Sequence, residues 1–293
     1  MLVQMASMRD AYAETLLELG AEDLRVVVLG ADTSVSIKTS LFGDRFPDRF
    51  FNVGIAEANM MGIAAGLALA GKIPFVSTYS AFVPGKCLDQ IRNAIAYPYL
   101  NVKIVSSHGG LTVGPDGASH QTIEDVAAMR AIPKMRVVVP ADAPSTKALV
   151  TQSCKVPGPF YIRLSRPSVP TIYSESRKVE LGKAAILREG ADIGIIACGI
   201  MVNEAMEAAE ALAKTGISAE VVDSHTIKPL DSTTIVRVAK KTGALVTAEE
   251  QSVIGGLGGA VVEATSESYP VPVSRVGVKD TFGESGEHQE LMA

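Results

Sequence analysis

The sequence predicts an α/β protein made of two doubly wound, mostly parallel-sheet units, the second smaller than the first. Three observations carry that prediction. Strand-length apolar runs such as RVVVLGAD, IPFVSTY, VKIVSS and DIGIIACG alternate with segments of helical periodicity along the 293 residues. The repeated β-α-β-α order favours parallel strands with helices covering both faces. The alternation is broken once, by the polar, proline-containing RPSVPTIYSESRK, and then resumes.

In chain order, Asp10–Leu19 reads as a helix stopped by Gly20, and Arg25–Asp32 as a buried strand. FFNVG, the Ala/Gly-rich ANMMGIAAGLALAG and IPFVSTY form the next strand, helix and strand. CLDQIRNAIAY is a helix, VKIVSS a strand and Ile123–Ala131 a short helix. MRVVVPAD is a strand ended by proline, and APSTKALVTQSC a helix capped by Asp142 or Ser145. The second unit opens with a short strand pair near Ala184–Leu187 and the buried strand DIGIIACG. Helix VNEAMEAAEALAKTG, strand SAEVVDSHTIKPLD, helix STTIVRVAKKTG, strand ALVTAEE and the glycine-rich IGGLGGAVVEATSES follow. The expected division is residues 1–168, a linker over 169–181, and residues 182–293.

Composition excludes several classes. Hydrophobic residues at 47% and charged residues at 20% describe a soluble globular chain, and a net charge of −5 gives no reason to expect nucleic acid. Cys87, Cys154 and Cys198 are widely spaced, as expected of buried thiols in a reducing cytoplasm. The N-terminus has no secretory pattern, and the apolar stretch Val53–Leu69 carries Glu57 and Asn59, which argues against a membrane span. His108, His120, His225 and His288 are dispersed, without HExxH or a cysteine at ligand spacing, so no metal site is expected. A serine-nucleophile elbow, a dinucleotide fingerprint and a phosphate-binding P-loop are all missing. GIMVNE and GGLGGAVVE could offer helix N-terminal amides to an anion, but close helix–sheet packing explains their glycines at least as well.

Two places suggest chemistry. RFFNVGIAE puts Glu57 at the seam between a strand and a helix with no evident cation beside it. SSHGGLTVGPDGASHQTIED follows a strand, where parallel sheets form their ligand crevice, and gathers His108, Asp116 and His120 in one glycine-rich loop. Those groups suit hydrogen bonding to hydroxyls or phosphate, or proton movement. A solvated turn built on PDG accounts for them equally well.

GIAE at Glu57, YSAF at Tyr79–Phe82, SHGGLTVGPDGASHQ and LSR at Leu164–Arg166 resemble the pyrimidine-binding domain of the transketolase family. KPLD, EEQSVIGGLGG and FGESG resemble its C-terminal domain, so the resemblance covers essentially the whole chain. The family holds the diphosphate of thiamine diphosphate through Mg²⁺ on a separate domain marked by GDG and a downstream Asn, which this sequence lacks. The resemblance therefore implies the C-terminal half of a split transketolase, with an N-terminal-half subunit supplying Mg²⁺ and diphosphate binding in an α₂β₂ assembly. The Ala/Gly-rich helix Asn59–Gly71 is a candidate for that interface. Family members usually continue beyond FGESG into a further helix, whereas this chain reaches Ala293 soon after it.

The resemblance also implies roles. Glu57 matches the glutamate that hydrogen-bonds the aminopyrimidine N1′; burial and the adjacent helix N-terminus pull its proton in opposite directions. Phe82 matches the aromatic that stacks on that ring in deoxyxylulose-phosphate synthases, with Tyr79 and Ile55 as neighbours and Asp32 near the cofactor. His120 would sit near the 4′-amino group and the reacting oxygens, and Asp116 would read a hydroxyl of an aldose acceptor. His108, Arg166, Ser36 and Arg9 match contacts to a sugar phosphate, Arg9 by spacing alone. The implied reaction transfers a two-carbon ketol unit from a ketose phosphate to an aldose phosphate, as in the pentose phosphate pathway. A deoxyxylulose-phosphate synthase would carry arginines where this chain has Gly85 and Gly109. The β subunit of a 2-oxoacid dehydrogenase would not need His108, Asp116 and Arg166 together. A non-catalytic scaffold would not need to keep Glu57, Asp116, His120 and Arg166.

Overall fold

The computed structural model describes residues 4–174 and 177–292. Its larger sheet has seven strands, in the order Thr226–Lys228, Arg136–Val138, Phe160–Leu164, Lys103–Ser107, Ile73–Tyr79, Val26–Gly30 and Phe50–Asn52. All pair in parallel except Thr226–Lys228, which runs antiparallel to Arg136–Val138. The second sheet has five strands, Val273–Val278, Leu245–Ser252, Ile193–Ala197, Ala219–Asp223 and Ala185–Arg188, with only the last antiparallel.

The period of two along each strand sends alternate residues to opposite faces. Val27 and Leu29 join one core while Val26 and Val28 join the other; Ile104 and Val105 divide the same way. On one face helix Glu57–Leu69 packs beside Phe82–Asp89 and its π-helical continuation Gln90–Ala96. On the opposite face helix Met8–Glu22 packs against Ala143–Lys155. Asp142 caps the latter helix and Ser145 closes a reciprocal capping box, so both expected capping residues take part. Both cores run on into the second unit, one through Ile196, Val222 and Val261 and the other through Ile195, Val202 and Ala205.

Two expectations are corrected. SAEVVDSHTIKPLD is not one strand: Ala219–Asp223 stays in the second sheet, whereas Thr226–Lys228 crosses to the edge of the first. The expected strand pair near Ala184–Leu187 is a single strand, Ala185–Arg188. Strand Val273–Val278, which the apolar pattern did not reveal, forms an edge of the second sheet. The linker is tied down: Val169–Pro170 pairs with Met5–Ala6, and Asp142 accepts the N–H groups of Ile172 and Tyr173 at 2.7 and 2.8 Å. Buried Tyr173 donates to Asp223 in the second unit at 2.7 Å. Glu175 and Ser176 of this stretch lie outside the described residues. All three cysteines are free and buried.

Candidate active site

The parallel strands of the first sheet deliver the predicted residues to one edge. Arg166, His108, Tyr79 with Phe82, Asp32 and Glu57 follow the C-terminal ends of five successive strands in the sheet order. In open α/β sheets the ligand crevice lies at that edge.

Gly54, at a φ of 72°, turns the chain out of its strand, and Glu57 becomes the first residue of helix Glu57–Leu69. The preceding Ala56 has no capping side chain, so the acidic residue of this first turn is Glu57 itself. Its side chain is only 4% exposed. The sequence pattern shows no cation beside it; the structure supplies one. Lys86 Nζ lies 3.0 Å from Oε1 and 3.2 Å from Oε2. The same ammonium sits 4.1 Å from the centroid of the Phe82 ring. Lys86 was legible in part, because a residue four positions after Phe82 on a helix returns to the same face. Its pairing with Glu57, 29 residues away, was not.

Aromatic contacts extend from Phe82. His120 meets it edge-on at 5.6 Å, Tyr79 lies 5.9 Å away, and Tyr79 packs on His108 at 4.2 Å. Ser119 Oγ holds His120 Nδ1 at 3.0 Å, and Ser107 Oγ holds His108 Nδ1 at 2.5 Å. Burial, reinforced by Arg9, Arg166 and His120, pushes the His108 pKa down to about 3. His108 is therefore a neutral hydrogen-bonding group at pH 7, not a source of charge. Ile55 is 76% exposed and turned to solvent.

Besides Lys86, two arginines bring positive charge. Arg9 donates to the Ser36 carbonyl at 2.8 Å and the Arg166 carbonyl at 3.0 Å, while its buried Nε has no partner. Arg166 donates to the Val113 carbonyl and stands 3.4 Å from Asp116. Both arginines line a cavity of about 380 Å3 with Thr112, Val113, Pro115 and His288. Asp32, at a φ of 60°, bonds with Asn52, at 3.0 Å through its N–H and 3.5 Å through its carboxyl.

Beneath the site runs a buried polar chain that the sequence did not disclose. Ser80 donates to Ser106, Ser106 to Tyr161, and Tyr161 to Asp125, at 2.9, 2.8 and 2.6 Å. Arg163 then bridges Asp125 through Nε and Glu250 of the second unit through Nη1, each at 3.0 Å. Glu250 also accepts from the Thr112 hydroxyl at 2.7 Å. Gly110, at a φ of 81°, gives this ion network its room: a Cβ there would meet Arg163 at 2.4 Å and the Glu250 carboxyl at 2.6 Å.

Family comparison decides what this edge belongs to. The pyrimidine-binding domain of transketolase matches residues 4–171, and the transketolase C-terminal domain matches residues 182–293. The chain belongs to the transketolase family. It is the C-terminal section of a split transketolase, a transferase subunit carrying both of those domains. A 6-deoxy-6-sulfo-D-fructose transketolase subunit of Clostridium sp. strain MSTE9 is 49% identical over 279 residues, 95% of this chain and 87% of that one. An apulose-4-phosphate transketolase subunit of Phocaeicola vulgatus is 39% identical over 290 residues, 99% of this chain and 93% of that one. A solved split-gene transketolase, described as an inactive β4 tetramer, is 53% identical with a TM-score of 0.91. That match covers 98% of this chain and 92% of the solved one.

Proposed function

We propose that this subunit carries the pyrimidine side of a thiamine diphosphate-dependent transketolase. Its reaction moves a two-carbon ketol unit from a ketose phosphate to an aldose phosphate, as in the cytoplasmic pentose phosphate pathway. The observation that carries the reading is the pairing of a buried carboxylate, Glu57, with a half-buried aromatic face, Phe82, at one sheet edge. A flat, protonatable heteroaromatic ring fits that pair, because Phe82 offers a stacking face and Glu57 an acceptor.

When bound, thiamine diphosphate supplies the nucleophilic carbon and the electron sink that the side chains lack. Glu57 would hold the ring by a hydrogen bond to its buried carboxylate and favour the tautomer that can move a proton. His120, edge-on to Phe82, would hydrogen-bond the reacting oxygens. Neutral His108 donates or accepts without adding charge. Asp116 selects a hydroxyl of the acceptor. Arg9 and Arg166, with Ser36 beside them, take the anionic head group, and the unpartnered Nε of Arg9 supports that role. Tyr79, packed on His108, would flank the ring, and Asp32 would lie near the cofactor.

The relatives named above act on a sulfonated and a phosphorylated sugar, and an arginine pair suits either anion. Among the described residues no three His, Cys, Asp or Glu side chains gather to hold a metal ion. The proposal assigns Mg²⁺ and the diphosphate to an N-terminal-half partner, two copies of each subunit forming an α₂β₂ assembly. Within this chain it assigns residues 1–168 to the pyrimidine-binding domain and 182–293 to the C-terminal domain, joined by 169–181. No helix of the described residues is long and apolar enough to cross a membrane.

Mixing the chain with its N-terminal-half partner, thiamine diphosphate and Mg²⁺ tests the reading. Ketol transfer from xylulose 5-phosphate to ribose 5-phosphate is expected from the mixture and not from the chain alone. Absence of transfer with phosphorylated and sulfonated donors alike would overturn it. Glu57→Gln should lower kcat by at least a hundredfold while the unfolding transition is retained; a near-normal kcat would remove Glu57 from the mechanism.

A further inference from the structure

Lys86 occupies the place that the proposed function gives to the aminopyrimidine ring. Its Nζ is within hydrogen-bond distance of both Glu57 oxygens and 4.1 Å from the centroid of the Phe82 ring. A ring that bonds Glu57 while stacking on that face of Phe82 needs the volume that the ammonium fills. We propose that Lys86 is a built-in stand-in for the cofactor ring: it holds Glu57 in position when the site is free, and must swing out before the ring can dock. The inference rests on the assignment of Glu57 and Phe82 to the cofactor.

Exposure supports an exchange of partners. The Glu57 side chain is 4% exposed, and a buried carboxylate without a donor is costly. The Lys86 side chain is 47% exposed and sits on a flexible stem, so its ammonium can move into water with little penalty. Glu57 would thus pass from one cationic or N–H donor to another without a stage in which it stands alone. Cys87, next along the helix, is turned inward with its thiol on the Phe82 carbonyl, which fixes the register that aims Lys86 across the pocket. Lys86 acts through Glu57 and Phe82 and is a positioning residue.

Apparent affinity falls in proportion to the fraction of chains whose site is open. If the pair is closed in about nine chains of ten, freeing the site tightens binding about tenfold. The experiment is calorimetric titration of thiamine diphosphate, with Mg²⁺, into the complex with the N-terminal-half subunit. Wild type, Lys86→Met, Lys86→Arg, Glu57→Gln and Phe82→Ala are compared. Lys86→Met should bind the cofactor about three- to tenfold more tightly and melt at a lower temperature without it, because Glu57 loses its cation. Lys86→Arg should bind several-fold more weakly, since a planar guanidinium stacks on Phe82 and forks both carboxylate oxygens. It also carries the test should the methionine variant fail to fold.

Unchanged or weaker binding by Lys86→Met, or tighter binding by Lys86→Arg, would overturn the stand-in role while Glu57→Gln and Phe82→Ala still bind poorly. Wild-type binding by those last two variants would instead overturn the site assignment, and the stand-in role with it.

Discussion

Replacing Arg163 by Met removes the only cation, among the described residues, that touches both of two buried carboxylates. Arg163, Asp125 and Glu250 have side chains 1%, 0% and 2% exposed, and both contacts are 3.0 Å long. Water cannot take over the role of the guanidinium there. Breaking a buried ion pair by deleting one partner costs about 3–5 kcal/mol, several times the worth of an exposed pair. At about 2–4 °C per kcal/mol, the melting temperature should fall by roughly 6–20 °C. Thermal unfolding followed by circular dichroism at pH 7 measures it. Adding Asp125→Asn and Glu250→Gln to the same chain should restore a large part of the loss, because the amides can still pair with Tyr161 and Thr112 without needing a cation. A loss below about 1 kcal/mol for Arg163→Met would refute the reasoning, since that is the range of a solvated surface pair.

Other outcomes follow from single groups. Burial pushes the pKa of fully buried His225 down to about 4, so the unfolded chain takes up a proton near pH 6.5 that the folded chain refuses. Its share of stability is whole above pH 6.5 and is lost toward pH 4 at about 1.4 kcal/mol per pH unit. His225→Phe should therefore gain on wild type in urea titrations at about pH 4.5–5 relative to pH 8; parallel stability–pH curves would contradict this. Gly190→Ala should cost about 3 kcal/mol or more, because the new Cβ would lie 2.1 Å from the Ala219 carbonyl carbon and 2.2 Å from the Glu220 nitrogen. Gly182→Ala, with open space around its Cβ and only a φ of 84° to resist it, should cost about 1 kcal/mol by the same urea measurement.

The fold was legible where burial on both faces left unbroken apolar runs, as in Val26–Gly30 and Ile193–Ala197. Helix starts with local caps were legible too, because Asp142 and Ser145 sit within one turn of each other. Strand Val273–Val278 was hidden because an edge strand carries exposed Ser274 and Arg275 among its valines. Thr226–Lys228 was hidden because its choice of sheet depends on a surface far away in sequence. At the site, Glu57, Phe82 and the loop histidines stood out through the family motifs they sit in. Lys86, Arg163 and Glu250 did not, since each acquires its meaning from a carboxylate or cation at least 29 residues distant.

The crossing of Thr226–Lys228 has a practical consequence for anyone wishing to cut this chain in two. The polar stretch around residue 175 looks like a natural place for scissors, but the shorter fragment would leave with an edge strand of the longer one's sheet. The longer fragment would expose the unpaired rim of Arg136–Val138, and Arg163 would be parted from Glu250. Fragments severed there should stick to themselves or to each other rather than live apart.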